Sequence, residues 1–213
     1  MLSLIRKDFL IVKKLTFISM AIITLVPVFI TLVAPTVPGL FSFLYMLIFG
    51  TLMLSQAISQ EEARYPKAVS LLCAAPYSRG ACVISKYFVF IATFVYCYVI
   101  DTLVKLLINP NAILSITAVL FVLFIGVIIF GIYMPVEYKF GAVKARYMFS
   151  TVIILFSMGP SMISNFDPNF LSLFSVFDKF PAIMLNSFLA VMSIALFAVS
   201  LSISSRIFMS KEL

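Results

Sequence analysis

Long apolar blocks, rather than any short motif, decide what this chain can fold into. Six stretches are predominantly hydrophobic: about Leu15–Val33, Leu40–Ser59, Val83–Leu107, Ala112–Met134, Tyr147–Ile163 and Ala182–Ile203. Each is near the ~20 residues that a helix needs to cross ~30 Å of hydrocarbon. The blocks do not alternate as barrel strands do, and a helix satisfies its own backbone hydrogen bonds in lipid. The expected fold class is therefore all-α, a polytopic membrane protein of six transmembrane helices forming one transmembrane domain over residues 1–213. Only 11% of the residues are charged, against about 25% in soluble domains, so water is not the main solvent.

Orientation follows from the basic residues. With the N-terminus inside, all of the 15 lysines and arginines except Lys105 and Lys179 fall on the cytoplasmic side or at its edge. The positive-inside rule then places both termini in the cytoplasm. The net charge of +7 belongs to these membrane flanks and not to a separate basic domain, so nucleic acid is not an expected partner.

Residues 1–14, MLSLIRKDFLIVKK, put Ile5, Phe9 and Val12 on one helical face with lysines and Arg6 around the rest. That pattern predicts an interfacial helix at the cytoplasmic surface before the first span. A signal peptide fits less well, because the apolar run after it is too long and no small-residue cleavage site follows.

The longest polar interruption is Gln60 to Tyr87. Pro66 and Pro76 bracket a segment of about two helical turns, and the residue before each proline is pushed from helical angles. A short cytoplasmic helix within a connector over 60–82 is expected, with Ser78 able to cap the next span. A second cytoplasmic connector is expected over 135–146, PVEYKFGAVKAR, with Gly141 available for a turn. The outer segment 164–181 is aromatic and broken by Pro168 and Pro181; a re-entrant dip and a folded outer loop both fit it.

Several chemistries are excluded by what the chain lacks. Histidine and tryptophan are absent, which removes His-based acid-base catalysis and most transition-metal sites. Cys73, Cys82 and Cys97 have no metal-like spacing, and cytoplasmic thiols are expected to be reduced. Gly126 and Gly131 have phosphate-loop spacing, but Ile132 and Tyr133 follow where Lys and Ser/Thr are required. No enzyme activity, metal or cofactor is expected on this chain.

Ionisable residues inside a span are costly and point to function by default, which singles out Asp101 and Lys105. They stand one helical turn apart, and Asp101 lies roughly 27 Å up the third span at about 1.5 Å per residue, close to the outer surface. One reading is a paired charge lining a substrate path or a helix contact. The other is an interfacial ion pair with Lys105 snorkelling out. Serines and Gln56 at the ends of the second and last spans fit either helix contacts or a polar path, and packing is the commoner role.

Two cytoplasmic segments then carry a family likeness. The first runs Glu61-Glu62, Ser70-Leu71-Leu72, Pro76-Tyr77-Ser78-Arg79 and Lys86-Tyr87; the second is Tyr138-Lys139-Phe140-Gly141 with Lys144 and Arg146-Tyr147. With the opening Leu4-Ile5-Arg6-Lys7-Asp8, they make the chain resemble the small six-span permease subunits of ABC-2 type transporters. The resemblance implies two permease subunits, identical or related, working with two ABC ATPase subunits that hold ATP and Mg in a bacterial cytoplasmic membrane. It implies that residues from Lys67 to about Ala74 form a coupling helix seated on the ATPase, and that the first helix is an elbow. Glu61, Glu62, Arg64, Lys67, Ser70, Leu71, Leu72, Pro76, Ser78 and Arg79 are then the ATPase-coupling candidates. It also implies export, with hydrophobic or amphipathic peptides as the substrate class. A stand-alone immunity protein that binds such a peptide without pumping is the competing expectation. A secondary transporter is disfavoured, since neither inverted repeats nor deeply buried carboxylates are evident in the sequence.

Overall fold

The computed structural model describes residues 13–33, 39–64, 79–108, 113–147, 149–151 and 181–210. Five long helices account for most of them: α1 Lys13–Val33, α2 Gly39–Arg64, α3 Arg79–Ile108, α4 Ile116–Phe140 and α5 Ala182–Met209. Helices α2 to α5 are each long and apolar enough to cross a membrane, so the chain is an all-α polytopic membrane protein with at least four such helices. Helix α1 adds 21 residues with an apolar stretch at Phe17–Phe29. Residues 1–12 of the expected elbow, 65–78 of the 60–82 connector, most of the fifth expected span and residues 164–180 of the outer segment lie outside the described residues.

Contacts between named residues fix the helix directions. Along α2 and α3, Gly39 meets Lys105 and Glu62 meets Lys86, so these two helices run antiparallel. Along α2 and α4, Leu47 lies beside Gly126 and Ser59 bonds Glu137, so these two run parallel. Along α4 and α5, Gly131 meets Ser200 and Tyr138 meets Phe208, so these also run parallel. Helices α2, α4 and α5 therefore end together where α3 begins. That shared end carries Arg64, Arg79, Lys86, Lys139, Lys144, Arg146 and Arg206, while Lys105 stands at the other.

The core is built on α2 and α3, with Phe43, Leu44, Leu47, Tyr87 and Phe90 buried against Val122, Phe130 and Tyr133 of α4. Phe90 stacks on Phe130 at 4.6 Å between ring centroids, and Tyr87 meets Phe130 and Phe197 edge-on. Gly126 permits the close approach of α4 to α2, because a Cβ there would stand 2.7 Å from Leu47 Cδ2. Gly131 packs against Ser200. The two glycines with phosphate-loop spacing are thus contact positions inside one helix.

Helix α4 departs from the sequence expectation at its end. A stop before Pro135 is expected, yet the helix continues through Pro135 to Phe140 and turns only at Gly141, whose φ of +88° favours glycine. Proline cannot donate to the carbonyl one turn back, which here is Gly131. Ser200 Oγ of α5 donates to that carbonyl at 2.8 Å, filling the gap from a neighbouring helix. Ser200 has a single hydroxyl proton, so Tyr87 must donate to Ser200 at 2.7 Å, and Ser204 in turn to Tyr87 at 2.9 Å. The result is a directed chain, Ser204 to Tyr87 to Ser200 to Gly131, that ties α3, α4 and α5. These serines of the last span are helix contacts.

Ser200→Ala is accordingly expected to cost about 1–3 kcal/mol, the penalty for leaving a part-buried carbonyl without its partner. The cost should shrink on a Pro135→Ala background, where residue 135 regains an N–H for Gly131. Equilibrium unfolding of the four proteins of this cycle in mixed micelles checks it; strictly additive costs would dismiss the repair.

Candidate functional site

At the basic end, where the connector 65–78 leaves α2 and returns to α3, three helix termini converge on a buried polar cluster. Ser59 and Glu62 are three apart on α2 and share a face. Lys86 enters from the first turns of α3, and Glu137 and Tyr138 come from the last turn of α4. Lys86 Nζ lies 2.8 Å from Glu62 Oε2 and 3.3 Å from Glu137 Oε1. Ser59 Oγ donates to the same Glu137 oxygen. The ammonium also stands 5.4 Å from the centroid of the Tyr138 ring, within cation–π range.

Burial decides the energetics. The side chains of Lys86 and Glu137 are 9% and 5% exposed, whereas Glu62 keeps 25%. Removing two charges from water is costly, and the geometry offsets that only while every partner is in place. Glu137 Oε2 has no hydrogen-bond partner. The buried hydroxyl of Tyr133, one turn earlier and close to Glu137, likewise makes no well-formed hydrogen bond. The cluster is well tied at Oε1 and under-satisfied at Oε2, which leaves the Glu137 carboxylate a second place to bond if the helices shift.

A second buried pair sits at the opposite end of the bundle. Asp101 Oδ2 and Lys105 Nζ are 2.5 Å apart, and Lys105 donates to the carbonyl of Gly39 at the first residue of α2, 3.2 Å away. Both side chains are almost fully buried, so Lys105 does not snorkel outward but pins α3 to the start of α2. Asp101→Leu is expected to cost about 3–5 kcal/mol by leaving that ammonium buried and half-satisfied. The double change Asp101→Leu/Lys105→Met should recover most of it, as read by unfolding in micelles; a double variant no more stable than the single one would contradict the pairing.

Of the ATPase-coupling candidates, Glu61 and Glu62 lie on α2, which runs on to Arg64, and Arg79 opens α3. Glu62 turns towards Lys86, inside the bundle. Lys67, Ser70, Leu71, Leu72, Pro76 and Ser78 lie outside the described residues. Sequence reasoning missed Glu137 and its pairing with Lys86. The signal was present: Glu137 is the single acidic residue of an apolar helix, but reading Pro135 as a helix stop put it in a loop.

These helices, with charge buried only at the ends of the bundle, define a membrane-embedded helical subunit, and among the described residues no group of side chains could hold a metal ion. A comparison with protein families matches residues 3–209 to the ABC-2 family transporter proteins. The chain belongs to that family, and is therefore a membrane permease that transports and does not itself bind or hydrolyse nucleotide. Membership implies pairing with an ABC ATPase. Neither the curated proteins nor the solved structures contain a match.

Proposed function

We propose that this chain is the permease subunit of an ATP-driven exporter that moves hydrophobic or amphipathic peptides out of a bacterial cell. It is coupled to the ATPase through the connector between α2 and α3, with Lys67–Ala74 as the coupling helix. The carrying observation is the clamp at the connector's base: Glu62 at its exit and Lys86 just past its re-entry are ion-paired at 2.8 Å, and Lys86 also reaches Glu137 of α4. A connector anchored in this way can pass a push from the cytosol to three helices. Glu61, Glu62, Arg64, Lys67, Ser70, Leu71, Leu72, Pro76, Ser78 and Arg79, on or beside this connector, are the residues that would couple it to the ATPase.

Six spans are supported by the parallel run of α4 and α5, because parallel neighbours need an odd number of crossings between them. A cytoplasmic basic end, and hence cytoplasmic termini, is supported by the gathering of basic residues there. A second permease copy or relative is supported by α5, the least buried of the four membrane-length helices, which exposes Ile183, Met184, Val191 and Ile194. The peptide substrate is supported by the apolar exposed face of α3, with Phe88, Ile91, Val95 and Tyr98, which suits an apolar or amphipathic cargo.

The test is co-expression with each ABC ATPase encoded by neighbouring genes, followed by purification through the permease in detergent. The ATPase should be retained, and the permease alone should hydrolyse no ATP. Failure of every neighbouring ATPase to bind would defeat the reading.

A further inference from the structure

Lys86 is shared between two carboxylates that belong to different helices. Glu62 closes α2 at the connector and keeps a quarter of its side chain exposed, while Glu137 lies deep at the end of α4, a helix with no direct link to that connector. Helix α4 leads into Gly141 and the helical residues 142–147; Ala145 there and Phe149 just beyond pack into the core. We propose that Lys86 and Glu137 are positioning residues of the transport cycle, a charged joint that makes α4 follow α2 and α3 when the connector moves. This rests on the connector being the part that the ATPase displaces.

Three features fit a joint better than a fixed staple. Lys86 holds Glu62 more tightly than Glu137, 2.8 against 3.3 Å, so a small displacement redistributes the ammonium between them. Ser59, a turn from Glu62 on α2, holds the same oxygen of Glu137, so α2 keeps a grip on α4 while the ammonium shifts. Oε2 of Glu137 makes no well-formed hydrogen bond, and the Tyr133 hydroxyl one turn earlier already stands close to that carboxylate, so Glu137 is held firmly at one oxygen and loosely at the other. A buried charge held by groups on three helices is a contact through which motion of one helix can be passed to another.

Spin labels on the full permease in complex with its ATPase test the joint, with Cys73, Cys82 and Cys97 replaced by alanine. One pair sits at Phe88→Cys on α3 and Lys144→Cys after α4, both exposed positions; a second pair joins Leu72→Cys in the connector to a label on the ATPase. In the wild-type joint, trapping with ADP and vanadate should leave the 88–144 distance unchanged, because α3 and α4 travel together. Glu137→Gln keeps the side chain's size and its bond to Ser59 but removes the charge. With it, the same trapping should change the 88–144 distance by about 2 Å or more, the size of interface helix shifts. Glu137→Asp, which keeps the charge, should restore joint movement, a rescue that a role in packing alone would not give. If Glu137→Gln behaves as wild type, or the wild-type distance itself changes, the joint is overturned while the coupling connector stands. If the label at 72 fails to respond to trapping, the connector reading falls and the joint with it.

Discussion

Lys86→Met is expected to destabilise the permease by about 3–5 kcal/mol, among the largest effects available to a single substitution in this chain. The change removes the cation that faces both Glu62 and Glu137 and leaves a carboxylate that is 5% exposed with, among the described residues, Ser59 as its one well-formed hydrogen-bond donor. Adding Glu137→Gln to Lys86→Met removes the stranded charge while keeping an acceptor for Ser59, and should recover more than half of the loss. Neighbours in one network do not add, so the double variant separates a real pair from two independent defects. Equilibrium unfolding in mixed micelles, at a protein level normalised to wild type, is the measurement. Additive destabilisation would mean that Lys86 and Glu137 do not depend on one another.

Deleting Lys67–Ala74 is expected to abolish ATP-dependent transport while insertion of the helices stays normal. The deletion lies wholly between α2 and α3, and the residues that hold the ends of those helices together, Glu62, Lys86 and Glu137, all remain. The bundle should fold and lose only what grips it. The expected readout is wild-type membrane protein level, no retention of the ATPase on purification, and loss of peptide resistance in cells that carry the pair. Unaffected resistance would point instead to a stand-alone immunity protein that binds its peptide without pumping.

Much of the fold is written in hydropathy. The apolar blocks give the four membrane-length helices to within a few residues at most ends, because lipid leaves a helix as the only spanning choice. Ser115 caps α4, accepting from the Ala118 N–H, which sets its start at Ile116 rather than Ala112. The end of α4 was not legible. Pro135 reads as a stop on its own helix, and only the hydroxyl of Ser200, far along the chain, repairs the carbonyl that it frees. The candidate site was half legible for the same reason. Asp101 and Lys105 are one turn apart on a single helix, so their pairing can be read from spacing. Glu62, Lys86 and Glu137 come from three helices, and no local pattern encodes which of them meet.

Site-specific photo-crosslinking from Leu72 in intact cells asks whether the connector meets the ATPase. An adduct between the permease and its ATPase is expected, formed inside the cell and absent when Lys67–Ala74 is deleted. Labelling of Leu72→Cys by a membrane-impermeant maleimide added outside, with no such adduct, would contradict it.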